Sequence, residues 1–451
     1  MKFDHDNISP LDNRYANKIS EIRKNFSESA LIKIRFEIEI EWLIYLCTKL
    51  PKSFKSLSKD SIRKIELFKN GFDDKYVLKI KKIELKTNHD IKAIEYFIRD
   101  HFNKDNTLSK YTHLIHFGLT SEDINSLSYA YMIKNGVSLY VDELNKIYKT
   151  LKIYSKKWSN IPFQARTHGQ PASPSTIGKE FKVYFSRLER EIKILKSIEP
   201  MAKFSGATGN YHTFNIVNEK IDWVTFNMKF IKKFGIKQNK YTTQIEPHDW
   251  IAEVCHSIIR LNNILTDLCQ DTWIYISNDI FALKLLKNEV GSSTMPHKVN
   301  PIDFENAEGN FGISSALLNF FSIKLTKSRQ QRDLSDSTVL RNVGLGFGYA
   351  VLAIVSANKG LEKIIPNKDK IKSELNENWE VLAEAVQTIM RYEGIPDAYE
   401  QLKNLSRGSK LDAISYKDFI NSLKLSESSK ASLLKLTPEK YIGIASKLAK
   451  D

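Results

Sequence analysis

The chain has 451 residues, of which 42% are hydrophobic and 27% are charged. These fractions are close to the average of globular proteins, so they exclude a chain that is disordered throughout. The chain contains only 18 glycines and 12 prolines. Sandwiches, barrels and propellers need many more turn residues, so the composition favours long helices.

Basic residues outnumber acidic ones, 68 to 53, which gives a net charge of +15. Because the basic residues are spread along the chain, this excess indicates a solvated lysine-rich surface rather than a nucleic-acid site, although charge alone does not decide between them. Three isolated cysteines, Cys47, Cys255 and Cys269, are typical of a reducing compartment. The first residues include acids and no apolar run, so no signal peptide is expected and the predicted location is cytoplasmic.

Hydrophobic spacing predicts helices over 31–46 and 91–102, and a longer helix from 249 to 276. Ser173 with Pro174, and Asn300 with Pro301, have the composition of a helix cap followed by a first-turn proline. The sequence therefore predicts helices from those points to about residues 198 and 325, and a further helix over 339–361. The apolar run 343–357 is expected to be too short and too glycine-rich to span a membrane, and typical of a buried helix.

These elements predict an all-α fold with a central bundle of long helices. We expect an N-terminal helical domain over 1–110, the bundle with a catalytic loop over 111–362, and a smaller C-terminal helical domain over 363–451.

Residues 291–301, GSSTMPHKVNP, combine small and hydroxyl side chains with the start of a helix. Helix N-termini attract anions through free N–H groups and the helix dipole, and Lys298 adds a positive charge. The segment could therefore hold a carboxylate and stabilise a deprotonated serine. The alternative is an ordinary serine-rich loop before a capped helix.

Residues 166–171, RTHGQP, place His168 in a loop, where an imidazole can act as an acid or a base; the alternative is a structural histidine. Residues 328–341 alternate arginines with hydroxyls and acids, a composition that suits carboxylate or phosphate recognition; the alternative is a salt-bridged connection. His113 and His116 lack a supporting ligand pattern, so no metal site is predicted.

Residues 291–301 resemble the GSSxMPxKxNP signature of the aspartase/fumarase superfamily, whose members break a C–N or C–O bond and release fumarate. Other segments resemble the adenylosuccinate lyase family in its longer bacterial form. They are Arg14 with Tyr15, TNHD at 87–90, HFGLTSE at 116–122, RTHGQPASPSTIGKE at 166–180, TTQIEPHD at 242–249, and 328–342. Gln330 departs from this pattern, because an aromatic residue is expected there.

The resemblance implies an all-α, three-domain aspartase/fumarase-like fold and a lyase that releases fumarate from adenylosuccinate and from the succinylcarboxamide ribotide of purine synthesis. It implies that Ser292 is the general base and His168 the general acid, with no cofactor. It also implies a homotetramer with active sites built from three subunits, and a nucleotide substrate rather than a nucleic acid or membrane. The implied substrate-binding residues are Arg14, Tyr15, Asn88, His89, Asp90, His116, Thr120, Ser121, Gln244, Ser293, Lys298, Val299, Asn300, Asn306, Arg332, Ser337, Thr338 and Arg341.

Three alternatives stay open at this point. Argininosuccinate lyase, fumarase and aspartase share the serine loop, although TTQIEPHD and RQQRD favour the nucleotide substrate. A basic helical protein that binds nucleic acid would show steep loss of binding with salt. An inactive relative is disfavoured because both His168 and Ser292 are present.

Overall fold

The structure is a computed structural model that describes residues 7–284, 295, 298–406 and 411–451. Within these ranges the regular secondary structure is almost entirely helical, with strands of only two or three residues. The all-α prediction is therefore confirmed.

The N-terminal part begins with short and medium-length helices: α1 Ser20–Phe26, α2 Glu28–Lys49, α3 Lys59–Asn70, α4 Asp74–Thr87 and α5 Asp90–Asn103. The helix predicted over 31–46 is α2, and the one over 91–102 is α5. The hydroxyl of Ser27 caps α2 by accepting a hydrogen bond from the amide of Ala30. Apolar residues at helical spacing on α5, such as Ile91, Ile94 and Ile98, are buried.

The long helices come next in the chain: α6 Ser121–Lys157, α7 Ile177–Ser197, α10 Asp249–Ser277, α11 Ile302–Leu325 and α13 Val343–Lys363. Shorter helices lie between them: α8 His212–Val217, α9 Trp223–Lys232 and α12 Ser335–Leu340. The helix predicted over 249–276 is thus confirmed within one residue at its end. The prediction of a single helix over 339–361 is wrong at its start, because α12 ends before Arg341 and α13 begins at Val343.

Between the helices, the described part of the chain has four pairs of short strands. The strands are β1 Pro162–Phe163, β2 Arg166–Thr167, β3 Gln170–Pro171, β4 Ser175–Thr176, β5 Met201–Ala202, β6 Lys237–Gln238, β7 Phe281–Leu283 and β8 Ile364–Pro366. The pairs β1–β4, β2–β3 and β7–β8 are antiparallel, and β5–β6 is parallel. All are too short to form a layer of their own, so they fix loop geometry.

The predicted start of α7 at Ser173 and Pro174 is wrong. The helix begins at Ile177 because the two residues before it form strand β4. The hydroxyl of Thr176 then accepts a hydrogen bond from the amide of Lys179 at 3.2 Å, which satisfies a free donor of the first turn. The pairing of β1 with β4 therefore decides where the helix begins, and the cap composition of Ser173 and Pro174 does not.

The chain divides into two compact units. The first contains Met1–Glu143, Ile192–Asn262 and Asn310–Leu352. Its helices pack closely where glycine removes the side chain: a Cβ atom built on Gly346 of α13 would lie 2.9 Å from Cδ2 of Leu318 on α11. The hydroxyl of Ser314 on α11 also donates to the carbonyl of Gly346 at 2.8 Å. An aromatic cluster around Trp42 packs α2 against α9.

The second unit contains Leu144–Glu191, Asn263–Gly309 and Ala353–Asp451. Here a Cβ atom on Gly360 of α13 would lie 2.8 Å from Cζ of Phe304 on α11. Tyr154 donates a hydrogen bond to the carbonyl of Leu361 at 2.7 Å, and Lys363 pairs with Asp303 at 2.6 Å. Parts of α6, α11 and α13 therefore form a close bundle within this unit.

The C-terminal part of the second unit has a core of its own. Its helices are α14 Lys368–Asn376, α15 Ala383–Tyr392, α16 Ala398–Ser406, α17 Ala413–Ser422, α18 Glu427–Leu434 and α19 Ala445–Lys450. Leu382, Met390, Ile420 and Leu433 are fully buried at the centre of this cluster. The division into domains at residues 110 and 362 stays a prediction.

Among the described residues, one helical stretch, Ser335–Lys363, is long and apolar enough to cross a membrane by length and composition alone. Buried residues make up 61% of its most apolar window, as in the core helix of a globular protein. The shortness of the apolar run 343–357 therefore does not by itself exclude a membrane-spanning helix. The burial that was expected for that run is observed.

Candidate active site

His168 lies at the tip of the β2–β3 hairpin in the second unit. Both central residues of the turn have positive φ, 54° at His168 and 75° at Gly169, which is the backbone of a tight type I′ hairpin. Arg166 anchors the hairpin through an ion pair with Glu374 of α14. His168 is exposed in this chain, so the hairpin leaves its imidazole open to solvent.

The serine loop is described only in part. Ser292 and Ser293 lie outside the described residues. After them, Lys298 is exposed, and Val299 and Asn300 are partly buried. The amide of Lys298 donates to the carbonyl of Met295 at 3.0 Å.

Helix α11 begins one residue later than predicted, because the carbonyl of Pro301 accepts the first turn's hydrogen bond from Phe304 at 3.0 Å. In the next turn of the helix, Asn306 accepts a hydrogen bond from Ser356 on α13 at 2.8 Å.

In the first unit, Arg332 is the centre of a largely buried polar cluster. One guanidinium nitrogen donates to Gln244 Oε1 at 3.1 Å, and the other to Ser337 Oγ at 2.8 Å. The second nitrogen also lies 3.0 Å from Glu122 and 3.6 Å from Asp336. Three predicted substrate-binding residues, Arg332, Gln244 and Ser337, are therefore brought into direct contact. Thr338 follows on α12 and is exposed.

The buried acids around Arg332 have shifted pKa values. Burial raises the pKa of Glu122, and the nearby charge of Arg332 only partly opposes this. Burial also acts to raise the pKa of Asp336, but the neighbouring imidazole of His248 and the charge of Arg332 outweigh it and lower that pKa. Asp336 is thus the better stabilised anion of the two.

A second arginine, Arg341, is held by Asp90. One oxygen of Asp90 lies 2.7 Å from Arg341 and 2.9 Å from Arg35, whose side chain is buried. The other oxygen accepts from the amide of Ile91 at 2.8 Å, at the first turn of α5. Asp90, predicted as a substrate-binding residue, is therefore the counterion of two arginines in this structure.

The neighbours of Asp90 occupy helix ends. Asn88 ends α4 with a positive φ of 50°, and His89 caps α5 by accepting from the amide of Lys92 at 3.3 Å. The His89 ring is half exposed, so one nitrogen caps the helix while the ring still reaches solvent.

His116 lies against the buried carboxylate of Glu39, with 2.5 Å between Nδ1 and Oε1. Burial opposes protonation of the ring, but Glu39 outweighs it and the pKa of His116 is raised. His116 also has a positive φ of 60°, a backbone geometry that is costly outside glycine and is common at functional sites.

Thr120 and Ser121 stand at the start of α6. The amide of Thr120 donates to Asp123 at 2.9 Å, and Asp123 forms a fully buried ion pair with Lys203 at 2.7 Å. The amides of Ser205 and Gly206 donate to the same carboxylate. The turn that carries the hydroxyls of Thr120 and Ser121 is therefore fixed by hydrogen bonding to the buried carboxylate of Asp123.

Arg14 and Tyr15 precede the first helices. The guanidinium of Arg14 is exposed and lies 5.7 Å from the centre of the Tyr15 ring. Gln330, the departure from the family pattern, adopts a positive φ of 49° close to Arg332.

Sequence reasoning missed the acids and the buried lysine that hold these residues. Glu122, Asp123 and Asp336 lie within two positions of the predicted residues Ser121 and Ser337, and each is buried. Their position close to predicted hydroxyl residues was the feature of the sequence that could have indicated that they belong to the site. Which cation each acid contacts depends on helix packing, so it was not readable from spacing.

Residues 13–312 match the lyase family, and residues 328–442 match the adenylosuccinate lyase C-terminal family. The chain is 46% identical over 446 residues to adenylosuccinate lyase of Legionella pneumophila (strain Corby), with 98% of both chains covered. It is 45% identical over 440 residues to adenylosuccinate lyase of Escherichia coli (strain K12), with 97% of this chain and 96% of the relative covered. The chain belongs to the adenylosuccinate lyase family.

Solved structures support the same superfamily fold. A fumarate lyase from Mesorhizobium sp. BNC1 superposes with a TM-score of 0.78 at 18% identity, covering 95% of this chain and 96% of that one. A 3-carboxy-cis,cis-muconate lactonizing enzyme from Pseudomonas putida gives 0.75 at 17% identity, covering 95% of each chain. These confirm the fold alone, while the closer sequence relatives confirm the adenylosuccinate lyase family and the lyase class.

Proposed function

We propose that this chain cleaves adenylosuccinate to AMP and fumarate, and the succinylcarboxamide ribotide of purine synthesis to the free carboxamide ribotide and fumarate. Similarity to adenylosuccinate lyases over nearly the whole chain carries this proposal. The arginines Arg332 and Arg341 support it, because both substrates carry two carboxylates and a phosphate.

The reaction is a β-elimination. Ser292, as an alkoxide, removes the proton from the carbon next to a carboxylate, and the electron pair of that C–H bond forms the double bond of fumarate. The C–N bond breaks, and His168 as imidazolium protonates the departing nitrogen. The positions of these residues in the GSSTMPHKVNP and RTHGQP segments support the two roles.

Negative charge builds on the carboxylate beside the carbon that loses its proton. Lys298 and Asn300, together with the N–H groups at the start of α11, are the donors proposed to stabilise it. Removing one such donor typically costs about 2.7–4 kcal/mol of transition-state stabilisation.

The activity is tested by incubating the purified chain with adenylosuccinate and following AMP and fumarate together. We expect the two products in equal amounts. Argininosuccinate, malate and aspartate serve as parallel substrates, because related enzymes of the superfamily release fumarate from them. Fumarate from one of these compounds and not from adenylosuccinate would contradict the proposal.

The two catalytic roles are tested by Ser292→Ala and His168→Ala. Each should lower turnover by roughly 10²–10⁴-fold, the usual contribution of a positioned acid or base, while AMP still binds. His113→Ala removes an exposed imidazole outside the predicted site and is the matched control. Wild-type turnover by Ser292→Ala would remove that serine as the base.

We also propose that the chain forms a homotetramer with shared active sites, as the family resemblance implies. Supporting this, helix α11 exposes large apolar side chains in the first unit: Ile313, Phe320 and Ile323 are each 47–53% exposed. Such residues on one helix are typical of a surface covered by another chain. Light scattering should give four times the chain mass; a monomer at micromolar concentration would contradict the assembly.

A cytoplasmic location is proposed as well. Its support is that Cys47, Cys255 and Cys269 are buried and unpaired, a state that a reducing compartment maintains.

A further inference from the structure

His248 is a buried histidine that the mechanism above does not use. It directly precedes α10, has a positive φ of 65°, and its side chain is only 4% exposed. Nδ1 of the ring lies 3.5 Å from Glu246, and Nε2 lies 4.0 Å from Asp336. The ring therefore stands between two carboxylates that belong to different elements.

The same acids reach Arg332. Asp336 lies 3.6 Å from the Arg332 guanidinium, and Glu122 of α6 lies 3.0 Å from it. The charged groups that face His248 from its surroundings are thus Glu246, Asp336 and Glu122, with Arg332 beyond them. Without a second cation, the acids would more than neutralise Arg332.

We propose that His248 is a positioning residue which, as a buried imidazolium, offsets Asp336 and so leaves the charge of Arg332 available to an anionic group of the substrate. The nature of that anion rests on the proposed function. The imidazolium acts through Asp336, which touches both His248 and Arg332, and Arg332 in turn holds the substrate-binding residues Gln244 and Ser337.

The protonation state fits this role. Burial acts to lower the pKa of His248, but the neighbouring carboxylates of Asp336, Glu246 and Glu122 outweigh it and raise the pKa to about 9. The ring is therefore cationic at neutral pH, and it loses its charge only as the pH rises through about 9.

The test is His248→Gln, which keeps a polar side chain and removes the charge. We expect KM for adenylosuccinate and the Kd of AMP to rise about 10-fold, with kcat within 3-fold, because the charge of Arg332 acts in binding. In the wild type, AMP affinity should fall as the pH rises through 9, and this decline should be absent from the variant.

A second substitution separates charge from packing. Adding Asp336→Asn to His248→Gln removes the acid that needs compensation, so the double variant should recover at least half of the lost AMP affinity. Asp336→Asn alone should bind AMP as well as the wild type, and its AMP affinity should not decline near pH 9. This variant tests the proposal even if His248→Gln fails to fold.

Folded His248→Gln with KM and AMP Kd within 2-fold of wild type would overturn the proposal, as would a double variant with no recovery. Circular dichroism and subunit mass establish folding. If the wild type releases no fumarate from adenylosuccinate, the proposed function fails, whereas the AMP measurements still decide the role of His248.

Discussion

Asp90 is the carboxylate on which two arginines converge, and its ionisation should be visible in stability. Burial acts to raise its pKa, but Arg35 and Arg341 outweigh it and lower the pKa to about 2. An aspartate in the unfolded chain titrates near 3.9. The ionised Asp90 therefore stabilises the folded protein above that pH, and this stabilisation is lost as the pH falls toward 2. It amounts to roughly 2–3 kcal/mol.

Asp90→Asn should therefore destabilise the protein at pH 7 by about 3–5 kcal/mol, because it leaves the buried Arg35 without its partner. Urea unfolding of both proteins from pH 7 to pH 3 measures this. The difference between them should narrow as the pH falls below 5, because Asp90 of the unfolded wild-type chain takes up a proton near pH 3.9 while the folded carboxylate stays ionised until about pH 2. A difference that is independent of pH would contradict the ion-pair account.

The Lys203–Asp123 pair is fully buried, and Lys203→Met should cost about 3–5 kcal/mol because it strands a buried carboxylate. Lys237→Met is the matched control, since the Lys237–Glu199 pair is 55% and 62% exposed and exposed pairs contribute at most about 1 kcal/mol. Urea unfolding compares the two variants. Equal losses of unfolding free energy in the two variants would show that burial of the Lys203–Asp123 pair does not increase its contribution to stability.

At the residue scale, the predicted hydroxyl, amide and arginine side chains could be found because they lie inside long motifs. Gln244, Arg332 and Ser337 are examples, and the structure joins them by hydrogen bonds. Their buried counterions could not be assigned. Glu122 lies 210 positions before Arg332 in the sequence, and only packing of α6 against the loop before α12 sets that contact.

At the scale of elements, hydrophobic spacing located α5 and α10 because each has an apolar stripe that is buried, and it located α2 as a long apolar run that is buried on most of its faces. The start of α7 was misplaced because β4 pairs with β1, which precedes it by more than ten residues. Cap residues indicate only the local preference of the backbone for starting a helix, and the strand pairing with β1 outweighed that preference.

Close packing of α11 against α13 gives a prediction about these elements. Gly346→Ala would place a methyl group 2.9 Å from the buried Leu318, so it should destabilise the protein by about 1–3 kcal/mol. Leu318→Ala removes the clashing atoms. In a double-mutant cycle followed by urea unfolding, the double variant should lose less stability than the sum of the single ones. Strict additivity would show that the two residues do not compete for space.

At the scale of the whole molecule, low glycine and proline content and long helical patterns were sufficient to predict the all-α fold. The assembly and the shared active site depend on chains beyond this one, so they stay predictions. The meeting of His168 with Ser292 is likewise a prediction, since Ser292 lies outside the described residues and motif matches assign roles without assigning contacts.

Subunit mixing tests the shared site directly. If His168 and Ser292 of one active site come from different subunits, then equimolar His168→Ala and Ser292→Ala chains should reassemble with about a quarter of the sites intact. Neither variant alone, taken through the same dissociation and reassembly, should regain activity. Differently tagged subunits verify the exchange, and AMP and fumarate release report the intact sites. Exchanged mixtures without activity would show that the two residues do not come from different chains.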